Sequence, residues 1–188
     1  TIAFDQGSGS GLGTIDDKTP TAAEEIWDGL DGGGSSATSV GGLVGTAGSS
    51  GVFNYVNTVE GVTLNAAIRK GSGTKNADGA SSGAGQGAWD FALTADGASL
   101  GMDGLAAGLG YGEADNGSQT NSTYGDAQHM TAFANYSVGP VTFGFQKSHI
   151  EHNVKKDNEE TTAWGLAFNV NENLSISYGE RDVIYHGA

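Results

Sequence analysis

Cysteine is absent from the 188 residues, so neither a disulfide framework nor a thiolate metal site can form within them. Proline occurs only twice, and no run of apolar residues approaches the roughly 18 that a transmembrane helix requires. Basic residues are also scarce, since 8 Lys and Arg face 22 Asp and Glu, for a net charge of −14. This balance argues against nucleic acid as a partner, because phosphate backbones are bound by Lys and Arg.

Glycine is abundant, with 33 residues and no collagen-like period, so it belongs to strands, turns and loops. The hydrophobic fraction of 37% is low for a soluble domain with a large core. A β-barrel with a polar interior needs only one apolar face, so this low value is expected for such a barrel. No signal-peptide pattern is present, and the two ends of the sequence predict an internal fragment of a longer chain.

Two hairpins are predicted by strict alternation of apolar and polar residues. The first covers residues 130–150 with a turn at Gly139-Pro140, and the second covers residues 161–181 with a turn at residues 171–173. Each arm is about ten residues long, which is the length of a tilted strand that crosses a bilayer in a β-barrel. The second face of these arms is small and hydroxylic, and this composition suits a wet lumen.

The same pattern continues along the rest of the chain from residue 51 to residue 188. Short turns are predicted near residues 60, 96, 139 and 172, and long polar loops at residues 71–87, 113–128 and 153–160. A weaker strand is expected from Ala98 to Tyr111, with a bulge near Asp103-Gly104. Short turns on one side and long loops on the other are a feature of outer-membrane barrels.

The first fifty residues differ from this pattern. Residues 1–5 read as the end of a strand, and residues 6–50 lack strand alternation, which in a compact domain points to a functional loop. Within this loop a short helix is expected near residues 20–30, with Thr19 as N-cap and Pro20 at the first helical position.

The segments FNYVNTVEGVTLNAAI, TAFANYSVGPVTFGFQ and WGLAFNVNENLSISYGERD resemble the general porins of Gram-negative bacteria, especially the proteobacterial type. The resemblance covers most of the chain from residue 51 onward. It implies an all-β fold, a transmembrane antiparallel barrel of about 16 strands in the full protein, about eight or nine of them here. It also implies that residues 6–50 are the constriction loop, which folds into the barrel, and that the protein is a homotrimer in the outer membrane.

In such porins, acids on the inserted loop face basic residues on the barrel wall. The matching residues of this sequence are, on the loop, Asp16, Asp17, Glu24, Glu25, Asp28 and Asp31, and on the wall, Arg69 and Arg181. With so few basic residues, the pore is expected to prefer cations while passing small hydrophilic solutes and ions. Outer-membrane lipid and lipopolysaccharide are the implied surroundings.

No catalytic arrangement stands out, so the sequence predicts neither an enzyme nor a cofactor. Calcium binding at Glu113, Asp115 and Asp126 is a weaker hypothesis, because these acids lack the spacing of a known calcium loop. Two alternatives to a channel stay open. One is a secreted or surface β-sandwich of the adhesin type, and the other is a barrel that serves mainly as a surface receptor or structural anchor.

Overall fold

The computed structural model of the protein describes residues 1–5, 11–22, 51–70, 87–114, 127–152 and 158–186. Nine antiparallel strands form one sheet whose spatial order follows the chain. The strands are β1 (Ile2–Asp5), β2 (Val52–Val59), β3 (Val62–Arg69), β4 (Ala88–Asp96), β5 (Leu105–Ala114), β6 (Ala127–Val138), β7 (Val141–His152), β8 (Asn158–Asn171) and β9 (Leu174–His186). Within the described residues β1 and β9 do not pair with each other, so the sheet is open. The predicted all-β fold is confirmed.

Side chains alternate between two faces of the sheet, because successive residues of a strand point in opposite directions. On β7, Phe143 and Phe145 are 48% and 43% exposed, whereas Gln146 and Ser148 on the opposite face are 4% and 6% exposed. We call the first face the outer face and the second the inner face. The outer face is apolar and is not covered by any of the described residues, whereas a segment of the chain itself lies across part of the inner face.

Tight turns join three of the strand pairs, and we call this side of the sheet the short-turn side. They lie at Glu60-Gly61, Gly139-Pro140 and Glu172-Asn173. Glu60 and Gly61 have φ values of 51° and 80°, the combination that matches the right-handed twist of a hairpin. The opposite side, where the strands reach the longer connections, is called the long-loop side.

The fourth connection on the short-turn side differs from the expected two-residue turn. Asp96 caps a short helix, α1 (Gly97–Leu100), because its side chain accepts a hydrogen bond from the backbone N–H of Ser99 at 3.0 Å. The Ser99 hydroxyl also donates to Asp96 Oδ1 at 2.7 Å, and this bond, together with that from the Ser99 N–H, holds the pKa of the Asp96 carboxyl below its usual value. The strand expected from Ala98 therefore begins only at Leu105, and the change of parity near Gly104 belongs to the connection rather than to a bulge. Within the described ranges no helix has the length and apolar character needed to cross a membrane.

An apolar band crosses the outer face and has an aromatic border toward the long-loop side. The border consists of Phe53, Trp89, Tyr111, Phe145, Trp164 and Tyr178. The ring centroids of Trp89 and Tyr111 are 5.6 Å apart, as are those of Trp164 and Tyr178. Beyond the border the outward residues are polar on β5 to β9: Glu113, Gln128, Lys147, Thr162 and Glu180. Aromatic side chains between an apolar band and a polar rim are typical of a membrane interface.

This border runs obliquely to the hydrogen-bonded rows of the sheet. The row through Tyr55 on β2 reaches Ile184 on β9. On β2 the border residue Phe53 lies two residues from that row toward the long-loop side. On β9 the border residue Tyr178 lies six residues from it toward the short-turn side. From β2 to β9 the border is therefore displaced by eight residues, or about 26 Å, along the strands. The same seven strand steps cover about 34 Å across the sheet, so the border makes an angle of about 40° with the hydrogen-bonded rows. Strands of transmembrane barrels tilt by a similar angle, so the band becomes level when the strands are tilted in this way.

Candidate functional site

Residues 11–22, which we call the docked segment, lie against the inner face of the sheet. The segment begins with a 3-10 helix (Gly11–Ile15), whose Leu12 and Ile15 are fully buried against Ala92 and Phe133. Gly110 on β5 leaves the space for this contact, since a Cβ there would lie 2.4 Å from Leu12 Cδ1. The apolar contact therefore requires a glycine on the wall.

The wall also supplies the N-terminal cap of this 3-10 helix. The Gly11 N–H donates to Asn65 Oδ1 and the Leu12 N–H donates to Asp90 Oδ1, both at 2.9 Å. Asp90 is 1% exposed and lies on β4, far from the helix in sequence. A carboxylate at a helix N-terminus stabilises the unpaired N–H groups and the helix dipole. The first turn of the segment is thus stabilised by side chains of two strands.

The second half of the docked segment is held by two amide side chains. Gln146 Oε1 accepts from the Lys18 N–H at 2.7 Å, and Gln146 Nε2 donates to the carbonyl oxygens of Ile15 at 2.9 Å and Asp16 at 3.2 Å. Asn135 Nδ2 donates to the Lys18 carbonyl oxygen at 2.6 Å. The backbone from residue 15 to residue 18 is therefore fixed to β6 and β7 by neutral groups.

Toward the end of the docked segment, Pro20 packs against a pair of glycines on the wall. Gly144 on β7 and Gly165 on β8 are cross-strand partners. A Cβ at Gly144 would lie 2.4 Å from Pro20 Cδ, and a Cβ at Gly165 would lie 2.6 Å from the Pro20 carbonyl oxygen. The docked segment thus reaches from β3 and β4 to β8 along the inner face.

The path of the docked segment follows the same oblique direction as the outer aromatic border. It meets β4 at Asp90 and β8 at Gly165, whereas the hydrogen-bonded row through Asp90 reaches β8 at Glu159. Six residues along the strand, about 20 Å, over four strand steps, about 19 Å, correspond to about 45°. Asp90 and Gly165 are also sequence neighbours of the border residues Trp89 and Trp164. The docked segment therefore runs parallel to that border and at its level.

Two of the six predicted constriction acids lie on the docked segment. Asp16 is exposed, and the Asp17 Oδ1 accepts hydrogen bonds from the Thr19 N–H at 3.3 Å and the Thr19 Oγ1 at 3.2 Å. The other four predicted acids lie outside the described residues: Glu24, Glu25, Asp28 and Asp31. The helix expected near residues 20–30 lies mostly outside them as well, and residues 20–22 are not helical.

Arg69 and Arg181 both lie on the inner face, as their parity in the sequence predicts. On β3, Arg69 is four residues from Asn65 toward the long-loop side. On β9, Arg181 is two residues from Gly179, the cross-strand partner of Gly165, in the same direction. The structure therefore places both arginines on the face that carries Asp16 and Asp17, on the long-loop side of the docked segment.

The sequence pattern did not single out the residues that hold the segment: Asn65, Asp90, Asn135, Gln146, Gly110, Gly144 and Gly165. Asp90 carried the clearest signal, because a carboxylate in the middle of a strand needs a buried partner or water. Of the three acids in the calcium hypothesis, only Glu113 lies within the described residues, since Asp115 and Asp126 lie outside them. Glu113 accepts a hydrogen bond from the Tyr111 hydroxyl, and the described residues hold no cluster of potential metal ligands.

Comparison with protein families gives one match that spans most of the chain. A family model described as Gram-negative porin matches residues 10–187, which include the docked segment and β2 to β9. The chain belongs to the Gram-negative porin family. A search of curated proteins gave no match. The resemblance inferred from the hairpins is thereby confirmed.

Membership of the porin family gives the two faces of the sheet their meaning. Gram-negative porins are β-barrels of the outer membrane that let small solutes and ions pass, and the family suggests a channel rather than an enzyme. The apolar outer face with its aromatic border is the lipid side of such a porin wall. The inner face, which carries the docked segment, is the lumen side.

Proposed function

We propose that this porin forms a water-filled channel for passive diffusion of small hydrophilic solutes and that the channel prefers cations. The observation that carries this proposal is the docked segment, because it fixes Asp16 and Asp17 on the lumen face through the neutral side chains of Asn135 and Gln146. These neutral anchors add no positive charge beside the two carboxylates. Rings and clusters of acidic side chains at a narrow point favour cations in channels.

The lumen face on the short-turn side of the segment is polar, and Asp96 is the charged residue at its rim among the described strands. Its hydroxyl and amide side chains bond to each other, as in the pairs Ser137–Thr142 at 2.9 Å and Thr58–Thr63 at 2.8 Å. Ser175 donates to Asn169 Oδ1 at 2.7 Å in the same zone. Paired hydroxyl groups tolerate water and hydrophilic solutes without selecting for charge. We therefore assign the charge selection to the level of the docked segment.

The proposed constriction also includes Arg69 and Arg181 on the wall and the loop acids Glu24, Glu25, Asp28 and Asp31. In this arrangement an electric field crosses the narrow part of the lumen between the basic wall positions and the acidic segment. The sequence excess of acids over bases, with a net charge of −14, supports a preference for cations over anions. Neutralising the acids one by one should lower this preference stepwise.

Single-channel recording of the full-length protein in a planar bilayer, with a KCl gradient, tests the proposal. We expect stepwise conductance and a zero-current potential of the sign that cation selectivity gives. Conductance with an anion-selective potential would contradict the cation preference while keeping the channel. A well-folded protein that gives no conductance would contradict the channel and favour a surface-binding β-protein or a receptor barrel.

Two partners belong to the proposal on the basis of the family resemblance. We propose a homotrimer and contact of the outer face with lipid and lipopolysaccharide. The polar rim beyond the aromatic border, which includes Lys147 paired with Glu160 at 2.6 Å, supports a headgroup environment on the long-loop side. The mass of the native complex in detergent tests the trimer, and co-purified lipopolysaccharide tests the second contact.

A further inference from the structure

Two lumen-facing amides on neighbouring strands hold the peptide groups that carry the segment's acids. On β7, Gln146 Oε1 accepts a hydrogen bond from the Lys18 N–H, and Gln146 Nε2 donates to the carbonyl oxygens of Ile15 and Asp16. Asn135 on β6 donates a hydrogen bond from Nδ2 to the Lys18 carbonyl oxygen. Asp16 and Asp17 therefore sit on a stretch of backbone that is hydrogen-bonded to the wall immediately before, at and after them.

Gln146 is itself held in one position. Its nitrogen also donates to Thr131 Oγ1 at 3.1 Å, and that hydroxyl lies 3.1 Å from Ser148 Oγ. Gln146, Thr131 and Ser148 are all buried on the inner face. A buried amide with a fixed orientation can act as donor and acceptor to the same backbone without adding charge. A Lys or Arg at this place could donate to the Ile15 and Asp16 carbonyl oxygens but could not accept from the Lys18 N–H, and its positive charge would reduce the field of the two acids.

We propose that Gln146, assisted by Asn135, is a positioning residue for ion selectivity: it fixes Asp16 and Asp17 at one height and in one direction in the lumen. This inference rests on the proposed function of the channel. Its role differs from that of Asn65, which accepts a hydrogen bond from the N–H of Gly11, five residues before Asp16. Loss of Gln146 leaves the acids in place in the sequence but lets their charge move away from the ion path.

A purely structural role for Gln146 predicts a loss of stability with unchanged selectivity. The two roles are separated by recording the zero-current potential of Gln146→Leu in a KCl gradient, with Asn65→Ala as the matched control. Both variants lose hydrogen bonds to the docked segment, but only the first loses those next to the acids. We expect the potential of Gln146→Leu to move toward zero by at least half of the shift seen in the double variant Asp16→Asn/Asp17→Asn. Asn65→Ala, which loses a contact at the start of the segment, should move the potential by much less than Gln146→Leu does.

A double-mutant cycle then shows whether Gln146 acts through the acids. Adding Gln146→Leu to Asp16→Asn/Asp17→Asn should cause no further shift, because no carboxylates remain to be positioned. A further shift of the same size as in the unaltered protein would overturn the proposal. So would a Gln146→Leu potential equal to that of Asn65→Ala.

Recordings of the unaltered protein distinguish loss of the positioning role from loss of the channel itself. If the unaltered protein conducts with cation selectivity and Gln146→Leu leaves that selectivity intact, only the positioning role is lost. If the unaltered protein does not conduct, the channel itself is refuted, and the positioning role with it. Should Gln146→Leu fail to refold, Asn135→Leu removes the contact to the Lys18 carbonyl from the neighbouring strand and is expected to cause a shift in the same direction.

Discussion

The two faces of this sheet bind their surroundings in different ways. The outer face presents an apolar band with an aromatic border, and any apolar side chain of suitable size meets its requirements. The inner face holds one particular segment through individual contacts, such as Gly110 with Leu12 and Gln146 with the Lys18 peptide. The comparison shows that the lipid face depends on a type of residue, whereas the lumen face depends on specific residues in specific places.

The largest effect is expected where the docked segment buries its apolar side chains. Leu12→Ala removes a fully buried side chain and should weaken docking by about 2–5 kcal/mol. Hydrogen exchange of residues 11–22, followed by mass spectrometry, should become about 30-fold faster or more. Leu64→Ala on the outer face of β3 is the control, and its effect on this exchange should be small. Equal effects of the two variants would show that the segment is not docked through Leu12.

A charge placed on either face should show the difference between lipid and lumen. Leu166→Arg on the outer face of β8 should cost about 2–4 kcal/mol of unfolding free energy in lipid vesicles, because the charge faces the bilayer. Ser177→Arg lies on the inner face of β9, and we expect a much smaller loss. Urea unfolding of both variants gives the comparison, and similar losses would contradict the assignment of the two faces.

The wall glycine under Pro20 offers a smaller and more local test. In Gly144→Ala the new Cβ would clash with Asn135 Oδ1 and with Pro20 Cδ, so the Asn135 anchor and the docked segment must shift, at a cost of about 1–3 kcal/mol. Ala134→Val adds more volume on the outer face of the neighbouring strand and should leave the segment unchanged. The readout is again hydrogen exchange of residues 11–22, and the prediction fails if the two variants exchange alike.

The smallest effect is expected from a single hydrogen bond at the start of the segment. Asn65→Ala removes the acceptor of the Gly11 N–H and should weaken docking by about 1 kcal/mol, which speeds exchange by about fivefold. Thr63→Ala lies on the same face of the same strand but loses only a hydroxyl pair with Thr58. Exchange of residues 11–22 in Thr63→Ala should match that of the unaltered protein. A comparable increase in both variants would point to a general loosening of β3.

The outer face was predictable from the sequence because its requirement is periodic. Alternation in residues 130–150 and 161–181 was enough to predict strands, and the family resemblance implied a barrel. Family membership confirms the porin assignment. The apolar residues needed no knowledge of their cross-strand partners, since each one contacts the surroundings rather than a chosen side chain.

The part of the inner face that holds the docked segment was not predictable, because it is made by residues that are distant in the sequence. The 3-10 helix at Gly11–Ile15 follows a glycine-rich stretch that by itself predicts a flexible loop. It forms against the wall, where Asp90 caps it and Leu12 is buried, and the hydrogen bond between Leu12 and Asp90 alone spans 78 residues of chain. Gly110, Gly144 and Gly165 look like ordinary small residues of a polar face until the segment is seen against them.

One measurement tests most directly whether the docked segment lies in the ion path. Asp16→Cys introduces a thiol into residues that contain none, and a cationic methanethiosulfonate reagent can then place a positive charge there during single-channel recording. We predict a stepwise fall of the cation current and a shift of the zero-current potential toward anion selectivity, with no change for Leu64→Cys on the outer face. Complete modification of Asp16→Cys, verified by mass spectrometry, with current and potential unchanged would contradict the account.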